Sequence, residues 1–209
     1  VQNLTRRPEK GPRMNYANIK YCDIANGPGV RTTLFVSGCR VHCPGCFNEV
    51  AWDFCSGEAF DDAVAQRIWD SLEAPWVEGI TVLGGEPFEP ENQAALRPFL
   101  EETRRRFPAK NIWCFTGYLL DRDILPADGR KRTSDIDGML ACLDVLVDGP
   151  FLQAEYDISL RFRGSANQRI IDVPATLAAY QAALSRNEDL STFSPVIWHD
   201  QKLYETRGL

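Results

Sequence analysis

Three thiols lie within eight residues, in the run Cys39-Arg40-Val41-His42-Cys43-Pro44-Gly45-Cys46, spaced C-x3-C-x2-C. Thiolates are soft anionic ligands suited to zinc or to iron–sulfur clusters, and a short loop with Pro and Gly can wrap one inorganic centre. The number of ligands is informative. A structural zinc site closes its tetrahedron with four protein ligands. A four-iron cluster held by three cysteines leaves one iron free for a substrate or cofactor. The residues alone keep other readings open: unliganded thiols, or a conventional electron-transfer cluster with a distant fourth cysteine. A third is zinc completed by a distant Cys22, Cys55, Cys114, Cys142 or His199. His42 is expected at the surface or behind the ligands. Apart from that zinc role, Cys22, Cys55, Cys114 and Cys142 are expected to be small buried residues.

Such a loop needs rigid elements to hold it. Residues 32–36 (TTLFV) are β-branched and apolar and run straight into the cysteines. Residues 61–72 carry Val64, Ile68 and Leu72 at helical spacing. Residues 79–83 (GITVL) read as a buried strand ending in Gly84-Gly85, and residues 91–107 as a helix with Leu96 and Leu100 inward. A third strand is expected at 111–115 (NIWCF), a less regular helix at 135–142, a fourth strand at 144–147 (DVLV) and a fifth at 169–173 (RIIDV). A helix over 176–184 follows. Strands alternating with helices imply an α/β fold of parallel βα units, usually with both sheet faces covered. Right-handed crossovers would curl such units into a barrel or part of one.

In a parallel architecture chemistry gathers at the C-terminal ends of the strands. The cysteines follow the first strand, Gly84-Gly85-Glu86 the second, Thr116-Gly117 the third and Asp148-Gly149 the fourth. All four patches should therefore share one rim. Around them, residues 26–31 (NGPGVR) would position a partner or shape the entry to the first strand. Asp148 would touch a cofactor or cation, or cap the turn after its strand. Arg163, Ser165, Asn167 and Arg169 would contact a ligand or bind their own loop. Trp52, Trp69, Trp76 and Trp113 are expected to pack in the core or an interface.

The chain has 209 residues, 44% of them hydrophobic, enough for one domain with extensions and a substantial core. Its formal charge of −6 argues against a general nucleic-acid binder. Arg104, Arg105 and Arg106 read as a solvated helix face rather than a phosphate site. No apolar run reaches the roughly 18 residues of a membrane span, and no charged start leads an apolar signal core. A cytoplasmic location is expected, where clustered cysteines act as ligands or catalysts more than as disulfides. Residues 1–13 read as a flexible leader, 14–175 as the functional domain, and 176–209 as a C-terminal helix and tail.

The segments Asn26-Gly27-Pro28-Gly29-Val30-Arg31, Leu34-Phe35-Val36-Ser37-Gly38-Cys39 and Cys43-Pro44-Gly45-Cys46-Phe47-Asn48 resemble the glycyl-radical-enzyme activating family of the radical S-adenosylmethionine superfamily. Residues 113–118 (WCFTGY), 145–151 (VLVDGPF) and 163–169 (RGSANQR) narrow the resemblance to activators of the anaerobic (class III) ribonucleoside-triphosphate reductase. It runs from about Met14 to Val173. It implies a partial (βα) barrel of parallel strands with outer helices. It implies a [4Fe-4S] cluster on Cys39, Cys43 and Cys46, whose open iron chelates S-adenosylmethionine. Gly84, Gly85 and Glu86 would meet the methionine moiety. Many superfamily members carry an aromatic residue just before the third cysteine; here that residue is Gly45, so Gly45, Cys46 and Phe47 together would line the adenine side. The implied reaction begins with an electron from a flavodoxin or ferredoxin and ends with a glycyl radical on the reductase. Alternatives are another glycyl radical enzyme or a small molecule, such as a deazapurine precursor, as target, or a zinc-bearing structural module.

Overall fold

The computed structural model describes residues 14–198. The expected leader and His199 lie outside the described residues. One seven-stranded sheet organises the chain, in the order β3-β1-β2-β4-β5-β6-β7. Its strands are β1 (Asn15–Asp23), β2 (Val30–Val36), β3 (Glu58–Ala59), β4 (Val77–Gly84), β5 (Asn111–Phe115), β6 (Val145–Asp148) and β7 (Arg169–Asp172). The helices are α1 (Asp62–Leu72), α2 (Pro90–Arg106), α3 (Ile136–Cys142) and α4 (Val173–Ser185).

The centre is parallel: β2 pairs with β4, β4 with β5, and β5 with β6. Both flanks depart from the parallel strands expected of a partial (βα) barrel. β1 runs antiparallel to β2, and β7 antiparallel to β6. The connections explain this. A parallel neighbour needs a crossover of a dozen or more residues, and only the residues 24–29 join β1 to β2. Between β6 and β7 the chain doubles back through the Tyr156–Ser165 bridge, with no α-helix to carry it across. β1 escapes the sequence pattern because it has a single buried residue and lacks regular apolar alternation. The architecture is thus a mixed α/β sheet with a parallel centre.

Side chains alternate across the sheet. One face carries Leu34, Val36, Ile80, Val82, Ile112, Cys114 and Leu146, which join the apolar sides of all four helices in one core. The expected inward positions Val64, Ile68, Leu72, Leu96 and Leu100 are all buried there. The helices lie on this one face. The other face is closed by shorter means: Trp113, Val145 and Val147 pack with Phe162, Ile170 and Trp198. Beside them the buried Arg31 guanidinium donates to Thr81 Oγ1 (2.7 Å), Asn111 Oδ1 (2.5 Å), Ile80 O (2.8 Å) and Pro28 O (3.2 Å). With the Thr81–Asn26 bond (2.8 Å), this fixes the turn that feeds β2.

The expected boundary at residue 175 falls inside α4, whose Val173 and Tyr180 belong to the main core. Beyond it, Trp198 N donates to Ile170 O (2.8 Å) and Asp172 N to Val196 O (2.9 Å), which covers the β7 edge. The arginine run at the end of α2 is paired within the chain: Arg104 with Asp144 (2.6 Å), Arg105 and Arg106 with Glu102 (2.6 Å each). Among the described residues, no helix is long and apolar enough to cross a membrane.

Candidate iron–sulfur site

The four patches meet. A cavity of about 120 Å³ at the C-terminal ends of the parallel strands is lined by Cys39, Cys43 and Cys46, by Gly84, Gly85 and Glu86, by Thr116 and Gly117, and by Gly149. A larger cavity of about 480 Å³ adjoins it and shares Cys43, Cys46, Phe47, Leu83, Phe115 and Phe151. Gly45 and Asn26 line the larger cavity, whose walls include the rings of Phe47, Phe115, Phe151, Tyr156 and Phe162. Phe47 is 85% exposed. Gly45 is conformationally required: its φ is +75°, and a Cβ would lie 2.6 Å from Gln153 Oε1.

The cysteine loop is anchored at its entry. Gly38 N donates to Ala51 O (2.8 Å) and Cys39 N to Trp52 O (3.0 Å). The second strand end clasps the same segment: Gly85 N donates to Val36 O (2.6 Å) and Glu86 N to Gly38 O (2.8 Å). Asn92 in the first turn of α2 adds a side-chain tie, donating to Ser37 O (3.0 Å) and Glu86 O (2.9 Å).

Amides face the sulfurs. Asn48 N lies 3.4 Å from Cys46 Sγ. Burial pushes the Cys39 thiol up to about 11, against the amides of His42 and Val41, which favour the thiolate. Burial also raises Cys43, against the amide of Phe151. Metal loading must therefore expel protons from these thiols. Trp52 lines the smaller cavity, and its buried indole N–H meets no acceptor. His42 stacks on Trp52 at 4.4 Å, outside the cavity lining.

These features suit a cluster. Three soft thiols surround one cavity, and the Asn48 amide lies beside one of the sulfurs. Among the described residues no three His, Cys, Asp or Glu side chains converge tightly enough to hold a single ion. Thiolates on separate irons of one cluster need no such convergence, whereas four ligands of one zinc do. Of the distant ligands that zinc would require, Cys114 and Cys142 are buried in the helix-side core. Cys22 and Cys55 are exposed rather than buried as expected, and none of the four lines either cavity.

Glu86 lines the smaller cavity, but its buried carboxylate is already engaged. It accepts from Phe88 N (2.9 Å), Thr116 Oγ1 (2.8 Å) and Gly117 N (2.7 Å), joining two strand ends. Burial lifts it to about 7, against those three donors. Asp148 turns away from the rim: it accepts from Leu120 N (2.8 Å) and pairs with Arg169 (2.5 Å), so only Gly149 faces the cavity. Ser165 and Asn167 bind their own loop through Leu152 N (3.2 Å) and Pro150 O (2.8 Å), while Arg163 lines the larger cavity. Trp113 is buried in the core, whereas Trp76 is exposed. Phe115, Phe151 and Asn92 carry no chemical signature in sequence, and only their positions mark them.

The fold and the cysteine rim define an iron–sulfur domain, and residues 25–171 match the family described as "4Fe-4S single cluster domain". A protein of Haemophilus influenzae named "Anaerobic ribonucleoside-triphosphate reductase-activating protein" is 43% identical over 159 residues, covering 75% of this chain and 97% of that protein. Proteins of the same name from Escherichia coli (strain K12) and Enterobacteria phage T4 are 41% and 34% identical over 157 residues each. These alignments span 74% and 75% of this chain and 96% and 93% of the relatives. The chain belongs to the family of anaerobic ribonucleoside-triphosphate reductase-activating proteins.

Proposed function

We propose that the chain is a radical S-adenosylmethionine activase that installs a glycyl radical on an anaerobic ribonucleoside-triphosphate reductase. The observation that carries this reading is the convergence of Cys39, Cys43 and Cys46 with Gly84, Gly85 and Glu86 around one cavity. When bound, the reduced [4Fe-4S] cluster supplies an electron that cleaves S-adenosylmethionine to methionine and a 5′-deoxyadenosyl radical, which takes hydrogen from a glycine Cα of the reductase.

The protein's part is ligation, orientation and exclusion of water. Cys39, Cys43 and Cys46 are the cluster ligands. The strand end Gly84–Glu86 offers backbone for the methionine moiety; without a Cβ, Gly84 and Gly85 permit close approach. Glu86 serves that edge from below, because its carboxylate is committed to Thr116 and Gly117. Gly45, Cys46 and Phe47 line the adenine side. Leu83, Phe115 and Phe151 keep the adjoining space apolar. The electron donor is a flavodoxin or ferredoxin, and the setting is the cytoplasm.

The test is anaerobic reconstitution followed by dithionite, S-adenosylmethionine and chromatography for 5′-deoxyadenosine. Formation of the nucleoside, lost in Cys43→Ala, is the expected result. Iron-loaded protein that yields none, with the reductase present, refutes the reading. A glycyl doublet in the electron paramagnetic resonance spectrum of the reductase identifies the target.

A further inference from the structure

Glu89 occupies the N-cap position of α2 but does not cap it. Asp61 and Asp172, at the same position of α1 and α4, do accept from their helices, at Val64 N and Ala175 N. The Glu89 carboxylate is buried and turned toward the cysteine loop. Oε1 accepts from Arg40 N (3.0 Å) and Tyr118 OH (2.8 Å), and Oε2 from Arg40 Nη1 (2.8 Å) and Lys131 Nζ (2.8 Å). Arg40 directly follows Cys39. Its guanidinium also pairs with Glu91 (2.7 Å) and lies 4.3 Å from the Phe54 ring centroid. One carboxylate thus grips both the backbone and the side chain of the residue that follows the first cysteine, and ties them to the segment after β5.

We propose that Glu89 is a positioning residue for the cysteine loop, acting through Arg40 to hold Cys39 and Cys43 in their ligating arrangement. The inference rests on the reading that this loop carries the cluster. Its physical logic is preorganisation: a loop already fixed loses less freedom when it binds. Charge-assisted bonds to a buried carboxylate are among the stronger ties available for this purpose. A helix that forgoes its own side-chain cap gives up stabilisation that Asp or Asn there would supply, and here the carboxylate holds the loop instead.

The test has two arms. In the metal-free chain, amide hydrogen exchange is followed for peptides covering residues 39–48 and, as control, β5. Arg40 is 51% exposed at its side chain, which makes Arg40→Ala the milder variant. It should speed exchange in the loop about tenfold and leave β5 unchanged, with Arg40→Lys restoring part of the protection. Glu89→Gln should show a larger effect, and Arg40→Ala added to it should do little more. In the reconstituted chain, loss of visible absorbance under a chelator should quicken in the same order, with a broadened spectrum of the reduced cluster. Loop exchange unchanged in both variants overturns the proposal, as does exchange that rises equally in β5. A wild-type chain that takes up no iron overturns the activase reading instead, and the exchange arm still decides the role of Glu89.

Discussion

Replacing Gly85 by alanine tests the join between the cysteine loop and the second parallel strand. An alanine Cβ would lie 2.6 Å from Gly38 O, 2.8 Å from Ala51 O and 3.0 Å from Gly38 C. Ordinary carbon–oxygen contacts are about 3.3–3.6 Å, so the strand end must withdraw by several tenths of an ångström. Neither obstacle is a flexible side chain. Both are backbone carbonyls held in the bonds Glu86 N–Gly38 O (2.8 Å) and Gly38 N–Ala51 O (2.8 Å). Overpacking of this kind costs about 1–3 kcal/mol, and a weakened hydrogen bond about 1. The stiffer unfolded chain returns about 0.4–1 kcal/mol. The net loss is about 2 kcal/mol, which at a urea m-value of about 1–3 kcal/mol/M lowers the midpoint by about 1 M. Urea denaturation of the metal-free chain measures it, and iron per chain after reconstitution should fall with it. Gly117→Ala is the internal control, because the nearest atoms to its Cβ would belong to the Val41 side chain, at 3.0 Å and beyond, rather than to backbone. Equal midpoints for wild type and Gly85→Ala, with full iron loading, would refute the close approach.

The Glu86 carboxyl, lifted by burial to about 7 from 4.5, contributes stability that is complete below pH 4.5 and is lost as pH rises through 7. Between pH 5 and 8, Glu86→Gln should therefore gain on the wild type by on the order of 3 kcal/mol; parallel pH profiles in urea midpoints would count against the burial argument. Arg31→Met strands the buried acceptors Pro28 O and Ile80 O and should lower stability by about 3 kcal/mol or more in thermal unfolding, with Arg31→Lys failing to restore the fork. Asp148→Ala leaves Arg169 with Asp121 alone and Leu120 N without its acceptor, for a loss of about 3 kcal/mol. A wild-type urea midpoint in that variant would show that the pair is not holding the β6 end.

Local spacing carried a large part of this protein. C-x3-C-x2-C within eight residues points to a metal or cluster loop, because side chains close in sequence cannot be far apart in space. The helical periods of Val64, Ile68 and Leu72 and the apolar strands of the parallel centre were legible for a similar reason: burial on one face imposes a repeat. From those strands the shared rim followed. The tertiary structure decided what depends on partners distant in the chain. β1 is a flanking strand with a single buried residue and no strong pattern, and the direction of β7 depends on how its connection folds back. Asp148 and Glu86 are both carboxylates at strand ends. Arg169, across the β6–β7 pair, turns one away from the rim, while Thr116 and Gly117 hold the other beneath the cavity. The grip of Glu89 on Arg40 joins residues 49 apart, and no periodicity encodes it, because a side chain's direction is set by the packing of whole elements.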